Sequence, residues 1–185
     1  MKTIKSIFSV LILTLAFTAI TSCDVEPLDS SIDISTGGGS GITVASFTAK
    51  VNGENFIASS ESIIGDYSPA SIGNEFVISG STTTGKNISI TVLNPSVATF
   101  PANFNTSNLT LLQFTDISLG INGSFSSYNQ LTDTSTGTVT ITNFDTVNNK
   151  ASGTFSFTAY NSNDTTTRSI TNGVFNNITF ENTVN

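Results

Sequence analysis

From Ser46 onward, apolar residues recur with a period of two. Phe47, Ala49 and Val51 alternate with Thr48 and Lys50, and Asn52-Gly53 follows. Such alternation marks a strand with one buried and one wet face, because successive side chains point to opposite sides. Asn-Gly after it predicts a type I′ hairpin turn, since both residues tolerate positive φ, and Phe56 and Ala58 continue on the return strand. Phe76, Ile78 and Gly80, with Ile88, Ile90 and Val92, predict a second hairpin across residues 82–85. The strictest run is Ala151, Gly153, Phe155, Phe157 and Ala159, which follows Gly137, Val139, Ile141 and a polar turn at 145–150. Ile170, Val174, Phe175, Ile178 and Phe180 close the pattern, and its change of phase near Asn172-Gly173 predicts a bulge. Between Pro95 and Tyr128 the phase drifts: Leu109, Leu111, Phe114, Ile117, Leu119 and Ile121 are strand candidates, interrupted by Phe100-Pro101. Turn residues punctuate the chain about every eight to twelve positions, and no helical period follows residue 22. The expectation is an all-β fold over 46–185, an antiparallel meander forming a β-sandwich or barrel-like domain. Twelve phenylalanines after Cys23, with no Trp or Met among them, would supply most of its core.

The first 45 residues follow other rules. Lys2 and Lys5 precede an apolar run over 7–20, too short to span a bilayer as a helix and suited to a signal-peptide core. Ile20-Thr21-Ser22-Cys23 resembles a bacterial lipobox, with Ile where Leu is commoner. The resemblance implies that residues 1–22 are a cleaved lipoprotein signal helix and that Cys23 carries acyl chains. Each buried methylene is worth roughly 0.8 kcal/mol, and two chains give stable anchoring. Cys23 is the only cysteine, so no internal disulfide forms; ordinary secretion with an unmodified thiol is the alternative. Residues 23–45 read as a disordered tether. Asp24, Glu26, Asp29 and Asp33 precede the hinge Gly37-Gly38-Gly39-Ser40-Gly41. Its mean span is on the order of 25 Å. Acids after the lipidated cysteine resemble the surface-export signals of Bacteroidetes lipoproteins; in enterobacteria an Asp there implies inner-membrane retention. A solvated linker without an address is the plainer reading.

Charge and composition narrow the chemistry. After Cys23 four basic residues face thirteen acidic ones, a net charge of −9, which repels phosphate backbones and argues against nucleic-acid binding. No basic patch is present to hold anionic lipid, which leaves membrane attachment to the acyl chains. The chain has no histidine, which removes Ser-His-Asp and Cys-His nucleophiles and His-bearing zinc sites, and no cofactor is implied. Nine acids after residue 46 could supply a glycosidase pair, but they fall mostly at turns. Asn161, Asn163 and Asp164, and Asp145 with Asn148 and Asn149, offer oxygens for calcium, yet the same residues are selected by tight turns. Asp145-Thr146-Val147 and Asp164-Thr165-Thr166 resemble the Bacteroidetes O-glycosylation triplet, making Thr146 and Thr165 candidate acceptors. Arg168 could clamp a carboxylate ligand, and Tyr67, Tyr128 and Tyr160 could line a binding face, though solvation and sheet packing use the same residues.

Three segments carry a family resemblance: FTAKVNGENF at 47–56, GTVTITNFD at 137–145, and SGTFSFTA at 152–159 with TNGVF at 171–175. Together they resemble an uncharacterised family of small Bacteroidetes lipoproteins, a domain of unknown function. The resemblance implies a Bacteroidetes source and an outer-membrane location, on the cell surface or the periplasmic face, and transfers no site residues. The functional expectation is a non-enzymatic binding module for a protein, glycan or small ligand. A structural envelope-assembly lipoprotein and a carboxylate-dependent hydrolase are the alternatives.

Overall fold

The computed structural model describes residues 44–184, so the signal segment, Cys23 and nearly all of the tether lie outside the described residues. The chain forms β1 (Ser46–Val51), β2 (Glu54–Ile57), β3 (Ile64–Pro69), β4 (Asn74–Ser81), β5 (Lys86–Leu93) and β6 (Thr99–Pro101). Then come β7 (Thr110–Asp116), β8 (Ser124–Ser126), β9 (Tyr128–Asn129), β10 (Thr134–Ser135) and β11 (Thr138–Asp145). The last three strands are β12 (Lys150–Tyr160), β13 (Thr167–Thr179) and β14 (Glu181–Asn182). Two short 3-10 segments, Ser60–Ser62 and Ile117–Asn122, interrupt them. Among the described residues no helix is long and apolar enough to cross a membrane.

Twelve strands make one curled sheet, a half-barrel, in the order β14-β3-β4-β5-β7-β8-β12-β13-β1-β2 with β11 and β6 branching from β12. Strands β9 and β10 form a separate hairpin. The fold is all-β and barrel-like, but mixed: β14 pairs with β3 in parallel, where the pattern predicted antiparallel neighbours throughout. The reason is tertiary. Only Phe180 separates β13 from β14, so one chain segment pairs with β12 and β1 and then continues alongside β3.

Local chemistry explains the hairpins. Asn52 and Gly53 have φ of 51° and 87°, both positive as a type I′ turn requires. Phe76 lies opposite Val92, Ile78 opposite Ile90 and Gly80 opposite Ile88, so the predicted second hairpin is in register. In β13 the phase change at Asn172-Gly173 is a bulge: Asn172 has φ 52°, and the pairing with β1 shifts register between Thr48 and Lys50. Asn177, also at positive φ, adds a second bend. Asparagine tolerates this left-handed conformation better than other side chains with a Cβ.

The middle region departs from the prediction. In β7 the buried set is Thr110, Leu112 and Phe114, while Leu111 turns outward. The drift arises because a polar residue, Thr110, occupies a core position. Ile117, Leu119 and Ile121 are not strand residues; they lie exposed in the second 3-10 segment. That segment is tied down instead by polar groups, with Asn161 Nδ2 donating to the Asn122 carbonyl and Asn163 Nδ2 to the Ile121 carbonyl.

The concave side of the sheet is filled. Phe47, Phe56, Phe76, Phe114, Phe125, Phe155, Phe157, Phe175 and Phe180 are buried in one continuous core, with Phe100 and Phe144 packed partly buried against it. Phe144 and Phe180 stack at 5.3 Å between ring centroids, and Phe76 meets both edge-on, tying β11 and the β13–β14 junction to β4. Each buried aromatic contributes about 1.5–3 kcal/mol over leaving it exposed. Phe104, the one remaining of the twelve phenylalanines after Cys23, is 51 % exposed.

Candidate functional site

Phe104 sits on the loop between β6 and β7. Asn103 pairs its backbone with Thr110 in both directions, which closes the loop at its base. Two successive Asx turns then shape it: Asn103 Oδ1 accepts from the Asn105 amide, and Asn105 Oδ1 accepts from the Ser107 amide. The ring at 104 is carried between them, away from the core.

The β9–β10 hairpin meets it. The Phe104 and Tyr128 rings stack at 4.3 Å with only 10° between their planes. Tyr128 Oη donates to Asp133 Oδ1 at 2.9 Å, and Asp133 itself is held at φ 53°. The hydrogen bond to that carboxylate, reinforced by partial burial and by the carboxylate's charge, holds the Tyr128 phenol above its ordinary pKa. Residues 102–105 with Tyr128, Asp133 and Ser135 line an open cleft of about 360 Å³. Among the described residues Asp133 is its one acid, and no basic residue lines it. Two other depressions, of about 290 and 260 Å³, lie on the sheet beside β2 and between β12 and β13.

The other candidates take structural places. Thr146 lies in the β11–β12 turn and Thr165 in the β12–β13 turn, both exposed. In each turn the preceding Asp accepts from the amide two residues on, Val147 or Thr166. Asp164 also takes the Thr166 hydroxyl, whereas the Thr146 and Thr165 hydroxyls make no hydrogen bond among the described residues. These bonds lower the pKa of Asp145, through Asn148 above all, and that of Asp164, through Thr166. Of the oxygens considered for calcium, Asn161 Oδ1 accepts from the Asn163 amide, Asp145 accepts from Val147 and Asn148, and Asp164 accepts from Thr166, all within turns. Among the described residues no group of three or more His, Cys, Asp or Glu gathers to hold a metal. Arg168 lies over the Phe125 ring at 4.6 Å, a cation–π contact that caps the core rather than facing a cleft. Tyr67 packs edge-on against Phe144 and accepts from Asn74 Nδ2, so of the three tyrosines only Tyr128 lines the 360 Å³ cleft.

Sequence patterning did not single out Phe104, Asn103, Asn105 or Asp133. An aromatic residue bracketed by two asparagines was the available signal, since adjacent Asx turns project the residue between them. Cys23 lies outside the described residues. Comparison with curated proteins and with solved structures finds no match. One family model, described as a domain of unknown function, matches residues 43–179, a span that includes every strand from β1 to β13 and the whole cleft. The chain therefore belongs to the DUF6252 family.

Proposed function

We propose that this protein is a Bacteroidetes cell-envelope lipoprotein, anchored to the outer membrane through acyl chains on Cys23, whose β domain is a non-enzymatic binding module. The observation that carries the binding reading is Phe104. Eleven phenylalanines pack in or against the core, while this one stands stacked on Tyr128 at the wall of a polar cleft. An exposed aromatic held rigidly by a second ring costs hydrophobic burial and suits contact with a partner. A filled concave face favours a surface ligand over one enclosed in a barrel interior. Hydrolysis by paired carboxylates needs two acids, and this cleft presents Asp133 alone.

The anchor rests on Ile20-Thr21-Ser22-Cys23, and the outer-membrane address on the acidic residues that follow it. Exposed hydroxyls at Thr146 and Thr165, each after an Asp, suit O-glycosylation in the same compartment.

A photo-crosslinking phenylalanine analogue placed at 104, in intact cells making the full chain, tests the binding reading. Position 147, which is 89 % exposed in a turn remote from the cleft in sequence, is the control. Adducts should form at 104 and exceed those at 147. Equal or absent adducts at 104 would remove the cleft as a binding site and favour a structural envelope role.

A further inference from the structure

The cleft's lining specifies a ligand class, an inference that rests on the binding reading above. We propose that it binds a neutral saccharide, with the sugar ring stacked on Phe104 and its hydroxyls held by Asn103, Asn105 and Asp133.

The argument starts from which groups remain available. Stacking on Tyr128 covers one face of the Phe104 ring, while the residue as a whole stays 51 % exposed and lines the cleft, which leaves apolar surface for a ligand. A flat, apolar face of that size matches the C–H face of a pyranose. Next to it, the Asn103 and Asn105 side chains use their Oδ1 atoms to accept backbone amides. That orientation leaves both Nδ2 groups, which make no hydrogen bond among the described residues, as donors at the cleft. Asp133 uses Oδ1 to receive the Tyr128 phenol, so Oδ2 is left as a charged acceptor, and the Ser135 hydroxyl can act as either. An aromatic face bordered by amide donors and a carboxylate acceptor pairs with a ring carrying vicinal hydroxyls, which both donate and accept.

Charge excludes the neighbouring classes. Among the described residues no Lys or Arg lines the cleft, and Asp133 would face any phosphate, sulfate or uronate unpaired. A purely apolar ligand would strand two amides and a carboxylate, each costly to desolvate without a partner. Preorganisation adds to affinity. The Asx turns fix the loop and the Tyr128–Asp133 bond fixes the opposite wall before any ligand arrives.

The test uses the full chain extracted in a detergent without a sugar headgroup. Native affinity electrophoresis would run it through gels containing soluble neutral polysaccharides: an α-glucan, a β-glucan, a mannan and a galactan. Polygalacturonate serves as the anionic control. At least one neutral polymer should retard the protein and polygalacturonate should not. Phe104→Ala should weaken the retardation about tenfold or more, as truncation of a central aromatic anchor does. Asp133→Asn should weaken it less, and Phe104→Trp should preserve it. Because residue 104 is outside the core, circular dichroism of Phe104→Ala should match the parent. Retardation that survives Phe104→Ala, or a panel with no retardation, would overturn the saccharide inference. In the second case adducts at position 104 in intact cells would keep the binding reading and redirect it to a peptide ligand, whereas their absence would remove both.

Discussion

At the scale of single residues, close approach limits what this sheet tolerates. Gly153 lies where β11, β12 and β13 crowd together, and a Cβ built there collides with the Thr140 carbonyl oxygen and the ring of Phe175. Neither yields cheaply, because one is ladder backbone and the other a fully buried aromatic. Gly153→Ala should therefore cost about 1–3 kcal/mol, the usual penalty for overpacking. Chemical denaturation is expected to show a lower midpoint at an unchanged m value, and an unshifted midpoint would contradict the geometry. Phe104 is the opposite case. Its truncation gives up the stack on Tyr128 but no core packing, so it should cost about 1 kcal/mol in stability, and its main effect should appear in binding.

At the scale of elements, the turns are organised by carboxylates and amides rather than by apolar packing. The β11–β12 turn is held by Asp145, which accepts from the Val147 and Asn148 amides and from Asn148 Nδ2. These bonds favour the ionised form and hold its pKa below the ordinary value. A depressed folded pKa contributes order that is fully present above the unfolded pKa and is lost as pH falls through the folded one, a window below about pH 4. Protection of the Val147 and Asn148 amides should consequently fall on acidification through that window. In Asp145→Asn the side-chain oxygen still accepts, so the turn persists and the pH step vanishes. A step of equal size in that variant would assign it to another group.

At the scale of the whole molecule, strand register determines which end of the sheet receives the chain. Ser46 lies opposite Asn176 and Lys150 opposite Thr179, so β1 begins at the end that holds the β11–β12 turn. The β12–β13 turn and the Ile117–Asn122 segment lie together at the other end. Over residues 46–185 four basic residues face nine acidic ones, a balance that argues against an electrostatic hold on anionic lipid. The proposed anchor on Cys23 predicts that concentrated salt leaves the protein on membranes and that detergent releases it. Cys23→Ala should move the protein to the soluble fraction and abolish incorporation of a fatty-acid analogue. Labelling that persists in that variant would refute the anchor.

The amino-acid sequence by itself determined the all-β class, the hairpins at Asn52-Gly53 and residues 82–85, the turn at 145–150 and the bulge at Asn172-Gly173. Each is written in a few adjacent residues, because a two-residue period and positive-φ positions are local properties. Tertiary structure alone decided the phase of β7, where Thr110 takes a core place, and the parallel pairing of β14 with β3. The cleft belongs to that second group. Asn103 and Asn105 mark a turn around Phe104, but nothing in the sequence says whether the ring enters the core or stays outside it. Its stacking partner lies 24 positions away, and no periodicity along the chain encodes a contact across that distance; packing left Phe104 outside the core and placed it against Tyr128.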